Sequence, residues 1–171
     1  MKIGFLGALA AAMCASSALG CPIAELKKVA DDHLDRLPAS AEHEPEGNAE
    51  APDGGGGAWQ MFQGENGKPH SIVFTYLGES GQMKVRMSFL NRRDFVAVET
   101  EIDYEQPVFG PDATGRFKIK PLQYYFFCDG QLQLPAGTPD AAKIEERASY
   151  WKKRITESTG LLKQEFERIP N

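Results

Sequence analysis

The sequence predicts an α+β fold: an antiparallel β-meander of about five or six strands, a short N-terminal helix, and a long C-terminal amphipathic helix, with the helices packed on one face. Three observations predict it. Between residues 59 and 134, apolar runs and apolar/polar alternation recur between turn-forming residues. Over 139–169, Ile144, Ala148, Trp151, Ile155, Leu162, Phe166 and Ile169 keep helical spacing. Over 22–37, Ile23, Leu26, Ala30, Leu34 and Leu37 repeat that spacing on a smaller scale. The chain has 171 residues, 42% hydrophobic and 25% charged, which is room for one globular domain.

Residues 1–20 have the layout of a secretory signal peptide. Met1-Lys2 gives a positive start, Ile3 to Met13 an apolar run, and Ala18-Leu19-Gly20 a small-residue cleavage site. The mature chain then begins at Cys21, and two fates are open to that residue. Gly20-Cys21 resembles the lipobox of bacterial lipoproteins, in which the cysteine carries the lipid. The chain departs from that pattern: Leu19 stands two residues before the cysteine rather than three, and Pro22 opens a helix where a polar tether is usual. The other fate is a disulfide with Cys128, the second cysteine left after Cys14 is removed with the signal. The expected localisation is therefore exported, periplasmic or secreted, with lipid anchoring to the envelope as the alternative.

Pro22 suits the first turn of the N-terminal helix and Pro38 its stop. Residues 38–58 read as a flexible linker. They carry Glu42, Glu44, Glu46, Glu50 and Asp53, no Lys or Arg, and end in Gly54-Gly55-Gly56-Gly57.

Residues 59–171 are expected to form the domain itself. Strand candidates are Trp59–Gln63, Ser71–Leu77, Met83–Leu90, Phe95–Glu105, Arg116–Lys120 and Leu122–Leu134, the last folded at Asp129-Gly130. That turn sets Phe127 opposite Leu132. Glu99, Glu101, Asp103 and Glu105 alternate along one strand and share a face. With Leu90 paired to Phe95, Arg86 would oppose Glu99, Lys84 would oppose Glu101, Met87 would meet Val98 and Met83 would meet Ile102. Arg116, Lys118 and Lys120 would flank the acidic strand on its other side. The expectation is thus an exposed, register-fixing ladder of charges, each pair contributing ~0.2–1 kcal/mol. In the C-terminal helix Thr138 is the expected cap, and Glu157-Ser158-Thr159-Gly160 marks an expected break.

Charge and motifs exclude several functions. A net charge of -5 disfavours nucleic acid as a partner. Three cysteines and three histidines, scattered, make no zinc module. No nucleophile elbow, phosphate loop or His-Glu-x-x-His occurs. Gly54 to Gly57 lacks the Lys-Ser/Thr of a phosphate loop, and Asp103, Glu105 and Asp112 do not fit a calcium loop. His33, His43 and His70 are read as surface or packing residues, Cys128 as structural, and Lys152-Lys153-Arg154 as a solvated cluster. No cofactor, metal or catalytic residue is expected.

Tyr124-Tyr125-Phe126-Phe127 is apolar on both faces of its strand. A covered strand is the expectation, with Tyr124 and Phe126 as the candidate partner or ligand surface if one face is open. The function expected is a non-catalytic envelope protein that binds another macromolecule, as inhibitor, accessory subunit or adaptor. The alternative is a small-ligand carrier with an aromatic-lined cavity between sheet and helix, and the third reading is a small secreted hydrolase. The partner would be a protein or envelope component, with the membrane reached only through a lipid on Cys21.

Overall fold

The computed structural model describes residues 21–35, 46–50, 55–63, 69–105 and 116–171. The expected signal segment, His43, Asp112 and much of the expected linker lie outside them. The architecture is α+β, as predicted. The order is α1 (Ile23–Asp35), β1 (Glu46–Glu50), β2 (Gly56–Gln63), β3 (Pro69–Leu77), β4 (Gly81–Phe89), β5 (Phe95–Tyr104), β6 (Phe117–Ile119), β7 (Gln123–Cys128), β8 (Gln131–Gln133), α2 (Ala141–Thr156) and α3 (Gly160–Glu167). The strands form one sheet ordered β1-β2-β3-β4-β5-β7-β8, with β6 also paired to β5. Every pairing is antiparallel.

The sheet has eight strands rather than five or six. β1 and the start of β2 come from within the expected linker, and aromatic rings explain why. Gly47 faces Trp59 and Gly57 faces Tyr76 across the sheet. A Cβ on Gly47 would lie 2.6 Å from the Trp59 indole nitrogen, and one on Gly57 would strike the Tyr76 ring. The glycines let large rings lie flat over the backbone. Ala49 adds a buried methyl from β1. Composition alone reads these residues as a tether because the partners that order them lie on other strands.

The β4–β5 hairpin departs from the expected register by one residue. Phe89 pairs with Phe95, so Arg86 faces Val98, Val85 faces Glu99 and Met83 faces Glu101. The connection holds an extra residue. Leu90 and Asn91 donate backbone N–H bonds to the Asp94 carbonyl, at 3.0 and 3.2 Å. The Asn91 side-chain oxygen accepts from the N–H groups of Arg93 and Asp94, both at 2.8 Å. A one-residue slip moves every side chain to the other face. Phe89 and Phe95 meet in the core, and Lys84 and Arg86 leave the acidic face altogether.

At the β7–β8 turn the expectation holds: Phe127 faces Leu132, with Asp129 and Gly130 at φ 51° and 70°. The C-terminal helix breaks where expected, between α2 and α3. Thr138 does not cap it. Its hydroxyl donates to the Pro135 carbonyl in the preceding turn, and Asp140 takes the cap position.

Both faces of the sheet are covered, not one. α2 and α3 place Ala148, Trp151, Ile155 and Leu162, with Ile169 just beyond, over Met61, Ile72, Phe74, Val85, Met87, Phe95 and Phe127. α1 lies on the opposite face, where Leu26 and Ala30 pack with Val96, Val98 and Cys128. The Cys21–Cys128 disulfide joins α1 to the end of β7, with Cα atoms 5.4 Å apart and a sequence separation of 107. None of the described helices is long and apolar enough to cross a membrane.

Candidate functional site

Three places gather polar or apolar groups that the packing of a plain core does not require. The first is the acidic strand. The shifted register puts Glu99 on the helix-covered face, where it is only 6% exposed. Arg147 of α2 holds it in a fork, Nε to Oε2 at 2.9 Å and Nη2 to Oε1 at 3.0 Å. The Trp151 indole N–H donates to Oε2 at 2.7 Å, and the Tyr125 hydroxyl lies 3.5 Å from the same oxygen. Burial, with this carboxylate beside it, pushes the Tyr125 phenol up. Glu101 stands one step nearer solvent. Lys120 reaches it at 2.6 Å and Asp103 at 3.2 Å, and the Lys120 bond holds the Glu101 carboxyl below its ordinary range. The expected ladder thus exists on its Lys120 side only.

Beside this cluster a cleft of ≈ 670 Å³ opens between α2 and the β3–β4 turn. Glu101, Asp103, Lys143, Arg147 and Tyr150 line it, with the backbone of Gly78–Gly81 opposite. Tyr76 forms part of its inner wall. The Tyr76 hydroxyl is buried without a well-formed hydrogen bond, though Tyr150 and Arg154 stand beside it, and burial pushes its phenol up. No sequence pattern marked this cleft, because its walls come from five separate elements.

The second place lies under α1. The His33 Nδ1 and the Ser88 hydroxyl are 2.8 Å apart, and the His33 and His70 rings meet edge to face at 4.5 Å. A shift of register between Phe62 and Gln63 gives His70 its place beside β2. Burial, then the charge of Arg86, lowers the His70 pKa. Ser88 is fully buried and His33 half-buried. Tyr124 and Phe126 also lie on this face. They are half-buried, stack on each other at 5.9 Å and pack beside α1. The Tyr124 hydroxyl donates to Asp31 at 3.1 Å, and Lys27 sits 5.2 Å above its ring. Neither of these two aromatics lines the cleft beside α2.

The third place is the end of that face which α1 leaves open. Leu77, Gln82, Ile102 and Ile119 form one row across β3, β4, β5 and β6. Phe117 pairs with Tyr104 in the next row. Leu77 is 69% exposed, Phe117 and Ile119 are each 57% exposed, and Leu122, also exposed, stands just before β7. These residues were missed as a site. The alternation Arg116-Phe117-Lys118-Ile119-Lys120 carries the signal, its apolar half on the face opposite the charges.

Among the described residues, no group of His, Cys, Asp or Glu is arranged to hold a metal ion. No family model matches the chain, and no curated protein or solved structure matches it.

Proposed function

We propose that the chain is an exported, non-catalytic protein that binds a macromolecular partner, a protein or other envelope component, as an inhibitor, accessory subunit or adaptor. The single observation that carries this reading is the open apolar end of the sheet at Leu77, Ile119, Phe117 and Leu122. Large apolar side chains gathered on one surface are the signature of a contact awaiting a partner. Export is supported by the Cys21–Cys128 disulfide, a bond favoured outside the reducing cytosol. The bond also occupies the Cys21 sulfur that a lipid thioether would need, so the oxidised chain is the soluble form. Intact mass tests this: a chain starting at Cys21, without a lipid and short of two hydrogens, is expected.

The cleft beside α2 supports a second reading, a small-ligand carrier, because its volume suits a small molecule. A hydrolase is disfavoured by the pairing of its carboxylates: Arg147 holds Glu99, and Lys120 holds Glu101 and Asp103. A carboxylate already engaged by a cation is less available to a substrate.

The discriminating experiment captures partners from envelope extract with the oxidised chain and with a Phe117→Ser/Ile119→Ser variant. A stoichiometric partner retained by the first and lost by the second is expected. Equal capture by both would sink the apolar surface as the contact. A small molecule co-purifying with the chain and lost on Arg147→Ala would favour the carrier.

A further inference from the structure

We infer that the free edge of β6 takes up an extended peptide segment of the partner by strand addition, and that this segment alternates apolar and acidic residues. The inference rests on the proposed reading of the chain as a protein binder and names how the partner is recognised.

The backbone supplies the first part. Lys120 donates its N–H to the Glu101 carbonyl at 2.9 Å, and Glu105 donates to the Arg116 carbonyl at 3.1 Å. These bonds flank the pairs Ile102–Ile119 and Tyr104–Phe117. In an antiparallel ladder that pattern turns the Lys118 groups toward Asp103 and the N–H and C=O groups of Phe117 and Ile119 outward. Among the described residues no strand pairs with that outer side. An edge of unpaired N–H and C=O groups is a template for another strand.

The side chains supply the second part. Phe117 and Ile119 share one face of β6, and Arg116, Lys118 and Lys120 share the other. Lys120 is engaged by Glu101 and Asp103. Arg116 and Lys118 make no ion pair among the described residues. A strand laid along this edge meets apolar groups on one face and positive charge on the other. β5, already seated on the inner edge, reads Glu101-Ile102-Asp103-Tyr104-Glu105, the same alternation of acidic and apolar residues. The incoming strand repeats on the outside what β5 provides on the inside. A second copy of the chain fits less well, because antiparallel self-pairing about Lys118 would bring like charges together.

The test measures binding of a labelled synthetic peptide, Glu-Ile-Asp-Tyr-Glu in tandem repeat, to the oxidised full chain by fluorescence anisotropy. Binding is expected, weakening with salt, and absent for the same peptide with lysine in place of each acid. Ile119→Pro removes an outward N–H without breaking a bond to β5, and should weaken binding roughly tenfold or more. Lys118→Glu should weaken it several-fold, and both variants should melt like the parent. Unchanged affinity in Ile119→Pro, or equal binding of the lysine peptide, overturns the inference. A concentration-dependent dimer abolished by Ile119→Pro, with no peptide binding, overturns it in favour of self-association. The two readings fail separately. A partner captured equally by the parent and Ile119→Pro rejects strand addition but keeps partner binding. No captured partner, with peptide binding intact, does the reverse.

Discussion

The two faces of the sheet are covered by different means. On one, α2 and α3 press Trp151, Ile155 and Ile169 into a broad layer of Phe74, Met87, Phe95 and Phe127. On the other, α1 contributes Leu26 and Ala30 to a small cluster and is tied down by a disulfide. A 13-residue helix is marginal by itself. The difference teaches that burial can hold a long helical layer without help, whereas a short helix with few buried side chains needs a covalent tie. It also locates the exposed apolar surface: it lies on the α1 side, because α1 is too short to cover the whole face.

The largest expected effect breaks that tie. Replacing both cysteines by serine should cost up to ~4.7 kcal/mol by loop-closure entropy, read from denaturant midpoints. α1 amides should lose hydrogen-exchange protection while β2–β5 keep theirs; protection that persists in α1 would show that packing alone suffices. Next comes the opposite face. Trp151→Ala removes the largest fully buried side chain and one donor to Glu99, for about 4 kcal/mol, and should loosen α2 with α1 still attached.

Arg147→Met should cost ~3 kcal/mol, because it strands a buried carboxylate. Adding Glu99→Gln should recover part of that loss in a double-mutant cycle. Strict additivity would mean that the fork is not a coupled unit. Glu101→Gln should cost less than ~1 kcal/mol, since its pair with Lys120 is partly solvated.

The last effect is a pH dependence confined to the α1 side. His70 has a folded pKa below its ordinary 6.5. Its neutral form is favoured by folding, so its contribution is fully present above that value and is lost as pH falls through 6.5 toward the folded pKa. Melting curves of the parent and of His70→Gln should diverge most above pH 6.5 and converge in acid. Parallel curves would remove His70 from the account.

Legibility in the sequence followed the range of the interactions. Trp151, Ile155 and Leu162 announced their face through spacing alone, and Glu157–Gly160 announced the break, because helical periodicity is local. The Asp129-Gly130 turn was legible for the same reason. β1 was not, since Gly47 and Gly57 are ordered by Trp59 and Tyr76 on neighbouring strands. The β4–β5 register turned on a single loop residue, and Asn91 decided it through side-chain bonds that no alternation reveals. That slip carried Glu99 from an expected surface ladder into a buried site. The cleft walls and the His33–Ser88 contact join residues distant in the chain, so no spacing encodes them.

The disulfide has a further consequence for a nicked chain. Residues 22–127 lie inside the covalent loop, and residues 129–171, with α2 and α3, lie outside it. A single backbone cut within the loop leaves two pieces still joined, which come apart only when the disulfide is reduced. A single cut between the end of β8 and the start of α2 severs the covalent link to the helical layer, which burial alone then holds in place. The molecule is therefore guarded against proteolytic separation along most of its sheet and unguarded at the connection to the helices that cover it.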